Sequence, residues 1–277
     1  NAFEIDGVVY LVEDENENLE IGIVNKGLTE AVKAKLRENG VPLEKVRIVE
    51  TKPIIEMNSL RDEVRPIIGG IQIAFQKKKS TYLCTLGFNA ILNGIEGFVT
   101  NSHCTAKEFS TDGTIHYQPL PYNTIGKEIL DPSAFKCGGL KCRYSDAAFS
   151  QKTVDSKLGV IADVDSSLNI VGEFNITTKH QGNSEIEITL VKVGRTTGKT
   201  EGVVTKTCVD VRPIGSTVIR LCQDMVESNA QIVDAGDSGS PVFLIQDDPN
   251  TPATEVILYG ILWGGSSDGK TFVFSPI

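Results

Sequence analysis

The sequence lacks long apolar runs, large basic clusters and abundant aromatic residues. No apolar run approaches the ~18 to 20 residues of a transmembrane helix, so we expect no membrane span. No basic cluster is larger than Lys77-Lys78-Lys79, and the net charge is −9. Because nucleic acids and anionic membranes attract basic surfaces, neither is expected as a partner. No cofactor and no resident metal are expected.

Glycine is abundant by comparison, with 26 residues. From residue 67 onwards, short apolar runs recur between Gly, Asn and Ser turns, and no convincing helix is visible. Asn93-Gly94 between two apolar runs is a strong hairpin signal. This pattern predicts a mostly β chain of antiparallel barrels or a sandwich. We expect two barrels, at about 67–160 and about 180–277, with the polar, loop-like stretch 163–184 between them.

The first 64 residues have a different pattern. Residues 3–12 and 19–24 are apolar runs that flank an acidic turn, which predicts a β-hairpin. Thr29 as N-cap predicts a helix over 30–39, and a strand follows at 46–49.

We therefore expect a small ββαβ domain, an α+β unit, at residues 1–64, with its boundary in the connector 53–66. It contains no cysteine and no histidine, and so carries no chemistry of its own. It is either an accessory domain or a pro-segment that assists the folding of the domain behind it, or covers that domain.

The cysteines fall into three local pairs: Cys84 with Cys104, Cys137 with Cys142, and Cys208 with Cys222. An even count in local pairs indicates disulfides and an exported protein. The alternative is a zinc site built from the last four cysteines, although their spacings are not those of the usual zinc knuckles.

A Gly-Asp-Ser-Gly-Ser-Pro sequence at residues 236–241 is the most specific motif of the chain. A serine nucleophile needs a tight turn that exposes its hydroxyl and backbone N–H groups that face the developing oxyanion. Gly236 and Gly239 supply the required backbone freedom, and Asp237 needs a cationic partner. We interpret Ser238 as an activated nucleophile; the alternative is a polar turn before a strand.

Only three histidines are available as a base. His116 and His180 lie in segments that are typical of surface or loop histidines. His103 follows an apolar strand and precedes Cys104, which suits a general base but is also compatible with a structural role. Asp146 precedes a small apolar strand, where it can be buried against an imidazole or can bind its own backbone instead.

The chain order His103, Asp146, Ser238 is one of the known arrangements of a catalytic triad. With Thr-Asn-Ser-His-Cys at 100–104, residues 67–277 resemble the chymotrypsin-like serine proteases, and within them the bacterial secreted group of α-lytic protease and streptogrisin. Further segments that resemble this group are 68–70, 84–88, 194–198 and 269–276.

The resemblance implies a role for each residue of the triad. His103 is then the general base, Asp146 orients it, and Ser238 attacks the carbonyl. The backbone N–H groups of Gly236 and Ser238 form the oxyanion hole. The resemblance also implies a buried ion pair between Arg195 and Asp237.

Two further implications concern processing and the position of Leu262. The group is made with an N-terminal folding domain, which implies a zymogen-like form, a processing point near 67–70 and inhibition by the first domain. Where the group has Ser-Trp-Gly or Ser-Gly-Gly, this chain has Leu-Trp-Gly at 262–264. The serine that often supports the catalytic acid is therefore replaced by Leu262, and its support must come from elsewhere.

The resemblance implies that substrate specificity depends on the residues before the serine and on the strand at 261–265; Asp234 inverts the preference given next if it points into the pocket. Ile232 stands where a trypsin-like enzyme has aspartate, so an apolar or medium-sized side chain is expected before the scissile bond. The residues expected to line this pocket are Ile232, Val233, Asp234, Leu262, Trp263 and Gly264.

Together these features predict a secreted serine endopeptidase that cleaves protein or peptide substrates through an acyl-enzyme. The alternative is an inactive protease-fold binding module, motivated by Leu262 and by the attached N-terminal domain.

Overall fold

The computed structural model describes residues 1–15, 18–54, 58–246 and 254–277. The chain divides into two compact units, Asn1–Glu56 and Met57–Ile277. Within the described ranges, no helix is long and apolar enough to cross a membrane. Strands dominate the second unit, and the expected mostly β chain is confirmed.

The first unit is a three-stranded sheet with one α-helix. Its elements are the 3-10 helix Ala2–Glu4, β1 (Val8–Glu13), β2 (Leu19–Ile23), the 3-10 helix Lys26–Leu28, α1 (Thr29–Glu38), the 3-10 helix Leu43–Lys45 and β3 (Val46–Glu50). Strand β2 is central, antiparallel to β1 and parallel to β3. Val32 and Leu36 lie one turn apart on α1 and share a core with Ile21 and Ile23 of β2.

The start of α1 differs from the expected N-cap at Thr29. Asn25 caps the preceding 3-10 helix, because its side-chain oxygen accepts a hydrogen bond of 2.7 Å from the Gly27 N–H. This turn continues directly into α1, so Leu28 is the N-cap and Thr29 is already helical.

Within its described residues, the second unit is built from strands and one 3-10 helix, Ser102–Cys104. Its strands are β4 (Ile67–Gly69), β5 (Gln72–Lys77), β6 (Ser80–Thr85), β7 (Phe88–Leu92), β8 (Ile95–Thr100), β9 (Ile115–Tyr117), β10 (Thr124–Leu130), β11 (Phe135–Cys137), β12 (Leu140–Arg143), β13 (Ala148–Lys152), β14 (Ser156–Val164), β15 (Ile170–Lys179), β16 (Thr189–Gly194), β17 (Gly198–Val211), β18 (Val218–Glu227), β19 (Pro241–Ile245), β20 (Glu255–Gly265) and β21 (Thr271–Pro276).

These strands form two sheets. The seven-stranded sheet has the order β6-β5-β9-β10-β13-β8-β7. The eleven-stranded sheet runs β11-β12-β18-β17-β16-β19-β20-β15-β14-β4, and β21 pairs with both β18 and β20. Because β21 pairs with both β18 and β20, the six strands β16 to β21 form a closed ring that has no free edge.

The stretch 163–184 is not the loop that its polar composition predicts. Residues 170–179 form β15, which pairs with β14 on one side and β20 on the other. Alternating residues explain this, since Phe174 is buried in the core while its neighbours on the opposite face remain accessible. The polar side chains on the outer face account for the polar composition of a segment that has the two-residue period of a strand.

The connector also belongs to the second unit over most of its described length. Leu60 is fully buried and shares a core with Ile67, and its N–H donates to the carbonyl of Leu168 at 3.0 Å. Ser59 forms a β-bridge with Asn169. The division between the units therefore falls before residues 58–66 rather than within them.

Candidate active site

The turn at residues 236–241 is clamped between two strands. The carbonyl of Ser238 accepts a hydrogen bond of 2.8 Å from the Thr85 N–H at the end of β6. On the other side, the Gly239 N–H donates to the carbonyl of Leu262 on β20, also at 2.8 Å. Ser238 is partly exposed, whereas Asp237 before it is fully buried. The backbone thus fixes the position of the serine and leaves its side chain accessible.

Only glycine fits at two positions of this turn. Gly236 has a φ of +98°, and a Cβ atom there would lie 2.6 Å from the Thr196 hydroxyl and 2.7 Å from Arg195 Nη1. Gly239 has a φ of +95°, and its Cβ would collide with the backbone carbonyl of Thr85. Both the left-handed backbone and the close neighbours therefore require the two glycines.

Asp237 has a different cationic partner from the one expected. Lys192 Nζ lies 3.4 Å from Asp237 Oδ2, and both side chains are fully buried. The Thr197 hydroxyl donates to the same oxygen at 2.7 Å, and the Thr196 N–H donates to Oδ1 at 2.9 Å. In the part of the chain that the structure describes, Arg195 forms no ion pair with Asp237, so that prediction is wrong.

The reason is the position of each cation on its strand. Lys192 lies in the interior of β16 and its side chain runs beneath the serine turn, whereas Arg195 follows the end of β16. The Arg195 Nε–H donates to Gln72 Oε1 at 2.7 Å instead. Burial lowers the pKa of Lys192 to about 8, although the attraction of Asp237 opposes that shift.

His103 and Asp146 are brought together as expected. His103 lies in the 3-10 helix that follows β8, and its Nδ1 is 2.8 Å from Asp146 Oδ2. The backbone N–H of His103 donates to Asp146 Oδ1 at 3.1 Å. Asp146 is fully buried, whereas the His103 side chain is 29% exposed. The carboxylate therefore contacts both the ring and the backbone of the same histidine.

Asp146 is held in its charged form by its neighbours. Burial alone would raise its pKa, but the attraction and hydrogen bond of His103, followed by those of Arg220, hold the pKa well below its usual range. An ionised carboxylate at Nδ1 favours the tautomer in which Nδ1 carries the hydrogen. The other ring nitrogen, Nε2, is then free to accept a proton.

Arg220 is the functional neighbour that the sequence did not reveal. From β18, its Nε and Nη2 donate to Asp146 Oδ2 at 3.1 and 2.5 Å. The only signal in the sequence is an arginine within the apolar run 217–221. Leu262 stands where the resembled group often has a serine that supports the acid. In this chain Arg220 contacts Asp146 instead.

A second set of contacts fixes the backbone of Asp146. Its N–H donates to the Ser275 hydroxyl at 3.1 Å, and this hydroxyl donates to Gln223 Oε1 at 2.7 Å. The indole N–H of Trp263 donates to the same amide oxygen at 2.7 Å. The network ties the acid to strands β18, β20 and β21.

The residue before His103 is anchored by a buried ion pair. Arg143 Nη1 contacts Asp131 Oδ1 at 2.6 Å, and both side chains are almost fully buried. The Ser102 hydroxyl donates to the other oxygen of Asp131 at 2.7 Å. This pair connects the 3-10 helix of His103 to β12, which ends just before Asp146.

The two remaining histidines lie outside this arrangement. His116 is fully buried on β9, where its Nε2 contacts the Cys104 carbonyl at 3.0 Å and its Nδ1 contacts the Ser150 hydroxyl at 2.9 Å. It is therefore a core histidine rather than the surface residue that we expected. The ring of His180 stacks on Tyr259 at 4.2 Å between centroids.

Ser238 lies next to the segment that carries His103. Cys104 Sγ is 3.9 Å from the carbonyl oxygen of Ser238. Ser238 lines a cavity of about 250 Å³, and His103 lines a neighbouring depression. The two share Gly264, Gly265 and Ser267 as a common wall.

The N–H groups expected to form the oxyanion hole have no competing acceptor in the part of the chain that the structure describes. Among the described residues, neither the Gly236 N–H nor the Ser238 N–H donates a hydrogen bond. The Gly236 carbonyl, by contrast, accepts from the Thr85 hydroxyl at 3.0 Å. The carbonyls of Gly236 and Asp237 thus anchor the backbone on each side of Asp237. The N–H groups of Gly236 and Ser238 remain available to an oxyanion.

The residues expected around the substrate separate into three groups. The 250 Å³ cavity beside Ser238 is lined by Val233, Asp234, Leu262 and Gly264. Trp263 lines the depression beside His103. Ile232 lines neither, since it is 2% exposed and packs in the core with Leu190 and Val242. The role of Ile232 in specificity stays a prediction.

All three cysteine pairs are disulfides. The bonds join Cys84 to Cys104, Cys137 to Cys142 and Cys208 to Cys222. A zinc site from the last four cysteines is excluded, because they are bonded in two separate hairpins. The sulfurs of Cys84 and Cys104 lie near the His103 ring, but as a disulfide they offer no thiolate to a metal.

No protein-family profile matches the chain, and no curated protein matches it in sequence. Solved structures do match. The chain shares 23% identity with Nocardiopsis protease (NAPase), at a TM-score of 0.51 over 76% of this chain and 92% of that one. This chain has the chymotrypsin-like fold of bacterial serine proteases.

Two further structures agree with that assignment. Thermobifida fusca Protease A is 21% identical, with a TM-score of 0.51 over 76% of this chain and 91% of its own. A glutamic-acid-specific serine protease is 20% identical, with a TM-score of 0.53 over 76% and 93% of the two chains. At these identities the likeness concerns the fold, and the chemistry must be argued from the site itself.

Proposed function

We propose that this chain is a serine endopeptidase that hydrolyses peptide bonds through an acyl-enzyme. The observation that carries the proposal is the 2.8 Å contact between His103 Nδ1 and the buried Asp146 carboxylate, next to a constrained turn that presents Ser238. A base that is oriented by a buried acid beside an accessible serine is the arrangement that nucleophilic acyl transfer requires.

In the first half-reaction, His103 Nε2 takes the hydroxyl proton of Ser238 while the serine oxygen attacks the substrate carbonyl. The N–H groups of Gly236 and Ser238 stabilise the oxyanion of the tetrahedral intermediate. The intermediate collapses, the C–N bond breaks, and the imidazolium of His103 gives its proton to the leaving amine. Asp146 stays ionised throughout and stabilises the imidazolium.

In the second half-reaction, water replaces the amine. His103 takes a proton from the water as its oxygen attacks the acyl carbon, and the proton passes to the Ser238 oxygen when the ester bond breaks. The products are a free carboxylic acid and the regenerated serine. No cofactor enters either half-reaction.

The expected preference for an apolar or medium-sized side chain rests on two residues of the cavity beside Ser238, whose other lining residues are mostly polar residues and glycines. Val233 and Leu262 are apolar walls of this cavity. Asp234 is its charged lining residue, but one of its oxygens already accepts from the Ala235 N–H at 2.6 Å. Cleavage after lysine or arginine, lost in Asp234→Asn, is the result that would contradict this preference.

The proposal extends to location, architecture and the first unit. Three disulfides support an extracellular protein. The closed ring of six strands supports the second of the two expected barrels.

We assign the first unit as a pro-like domain that can inhibit the protease. Mass spectrometry of the exported protein tests whether this domain is removed. A single species that retains Asn1 contradicts removal.

The inactive binding module is less well supported. It was motivated by Leu262, which is 1% exposed and belongs to the core. Arg220 and Ser275 contact Asp146 instead of a serine at that position. Hydrolysis of a peptide library by the wild type, absent in Ser238→Ala and in His103→Ala, tests the enzyme; equal cleavage by all three proteins rejects the assigned roles.

A further inference from the structure

Arg220 and His103 bind the same oxygen of Asp146. Oδ2 is 2.8 Å from His103 Nδ1, 3.1 Å from Arg220 Nε and 2.5 Å from Arg220 Nη2. The second oxygen, Oδ1, accepts from the backbone N–H of His103. The carboxylate is thus held from both sides and cannot rotate without breaking hydrogen bonds to a buried charge.

The guanidinium of Arg220 is itself fixed by packing. Arg220 is 3% exposed and lies 4.4 Å from the ring centroid of Trp263 and 5.6 Å from that of Phe109. Its Nη2 also contacts Glu108 at 3.0 Å, whose side chain is 37% exposed. Its Nη1 has no hydrogen-bond partner among the described residues. Among the described residues, the hydrogen-bond partners of this buried cation are therefore Asp146 and Glu108.

The charges around the histidine therefore form a series. Asp146 contacts the His103 ring, Arg220 contacts Asp146, and Glu108 contacts Arg220. Glu108 also interacts with Asp146, His103 and Lys77 through space. Burial, followed by the repulsion of Asp146, raises the pKa of Glu108. A positive charge beside Asp146 opposes protonation of the nearby imidazole, and a negative charge at Glu108 favours it.

We propose that Arg220 is a positioning residue that holds the Asp146 carboxylate toward His103 and, with Glu108, sets the pH below which activity is lost. This inference rests on the proposed function, since it assigns His103 as the general base. Arg220 touches no reacting atom; it acts through Asp146.

The test compares four variants of the full chain: Arg220→Met, Arg220→Lys, Glu108→Gln and Lys107→Met. The readouts are the pH profile of kcat/KM and the proton NMR titration of the His103 ring. Lys107 is an exposed neighbour of Glu108 with no contact to Asp146, so its substitution is the matched control for loss of one positive charge.

The expected shifts have opposite signs. In Arg220→Met the acid limb and the His103 titration move to higher pH, by about one pH unit or more, because the imidazolium faces an unopposed carboxylate. In Glu108→Gln both move to lower pH, by less, since Glu108 is partly exposed. Arg220→Lys keeps the charge and leaves the acid limb near that of the wild type, but lowers kcat because one ammonium cannot reproduce the planar fork. Lys107→Met moves neither.

An unchanged acid limb in folded Arg220→Met, or a move to lower pH, overturns the inference. If circular dichroism shows that Arg220→Met is unfolded, Glu108→Gln decides, and a shift to higher pH or no shift relative to Lys107→Met overturns it. Wild-type protein that cleaves no peptide while the His103 titrations shift as expected rejects the proposed function and retains the role of Arg220. Wild-type protein that cleaves peptides, together with variants that show none of these shifts, retains the proposed function and rejects the role of Arg220.

Discussion

At the scale of single residues, Lys192 is the buried cation beneath the serine turn. Its Nζ contacts Asp237, the Thr197 hydroxyl and the carbonyl of Gly198. Removing one member of a buried ion pair leaves the other charge in an environment that cannot solvate it. Lys192 therefore stabilises the turn that presents Ser238, whereas Arg195 does not contact Asp237.

We predict that Lys192→Met lowers the free energy of unfolding by about 3 kcal/mol or more. The rate of Ser238 acylation should fall roughly tenfold or more, because the turn no longer holds the Ser238 hydroxyl in position to attack the substrate carbonyl. Urea unfolding and the initial rate of peptide cleavage measure the two effects.

Arg195→Met is the control, since it removes a cation from the same segment. It should cost about 2 kcal/mol, because it removes a charged donor from the buried Gln72 and from the Thr196 hydroxyl. Equal losses in the two variants would restore Arg195 as the partner of Asp237.

His116 gives a pH dependence of stability. Burial lowers its pKa from 6.5 to about 4. Because the unfolded chain binds the proton more tightly, the stabilisation is complete above pH 6.5 and is lost as the pH falls toward 4. The difference corresponds to about 3 kcal/mol.

Urea unfolding at pH 7 and pH 4 checks this estimate. The wild type should lose about 3 kcal/mol more than His116→Gln between the two pH values. A loss of equal size in wild type and His116→Gln rules out His116 as the source.

The sequence predicted the residues that lie within its local motifs. The turn at 236–241 is present and His103 contacts Asp146, and both could be expected because glycine spacing and strand ends are local signals, whereas their catalytic roles stay predictions. Lys192 and Arg220 were missed because each lies inside an apolar run. Whether such a cation faces a buried acid depends on which strand packs against it, and short-range patterns do not contain that information.

At the scale of elements, the Cys84–Cys104 disulfide joins the end of β6 to the 3-10 helix of His103. The Thr85 N–H next to it binds the carbonyl of Ser238. This bond therefore connects the segments that carry the proposed base and nucleophile. The Cys137–Cys142 disulfide, by contrast, closes a hairpin that the β11–β12 ladder already holds.

We predict that the double variant Cys84→Ala/Cys104→Ala loses most of its peptide cleavage while it remains folded. The loop between the cysteines spans 20 residues, so the chain-entropy cost is about 3 kcal/mol. The matched variant Cys137→Ala/Cys142→Ala should keep its activity. If the two double variants lose activity equally, the first disulfide has no special role at the site.

Short-range signals also decided which elements were predicted. The hairpin at Asn93-Gly94 is confirmed: the two residues have φ of +51° and +82° and connect β7 to β8. Strand β15 was missed because the stretch 163–184 was judged by its polar composition rather than by its alternation. Its pairing with β20, far away in sequence, stabilises it and cannot be inferred from composition.

At the scale of the whole molecule, the fold follows from many short strands, and the site is assembled from both sheets of the second unit. His103 follows β8 of the seven-stranded sheet, whereas Ser238 precedes β19 of the eleven-stranded sheet. The strand content could be predicted from the frequency of turn residues. The order of the strands could not, because it is determined by contacts between residues far apart in the chain.

The most direct test of the account is covalent labelling of the full chain with a fluorophosphonate probe, followed by mass-spectrometric mapping of the modified residue. We expect labelling at Ser238, none in Ser238→Ala, and loss of labelling after denaturation, because reaction requires the folded pair of His103 and Asp146. Absence of labelling in the folded wild type, under conditions in which a control serine protease reacts, would contradict the assignment of Ser238 as a nucleophile.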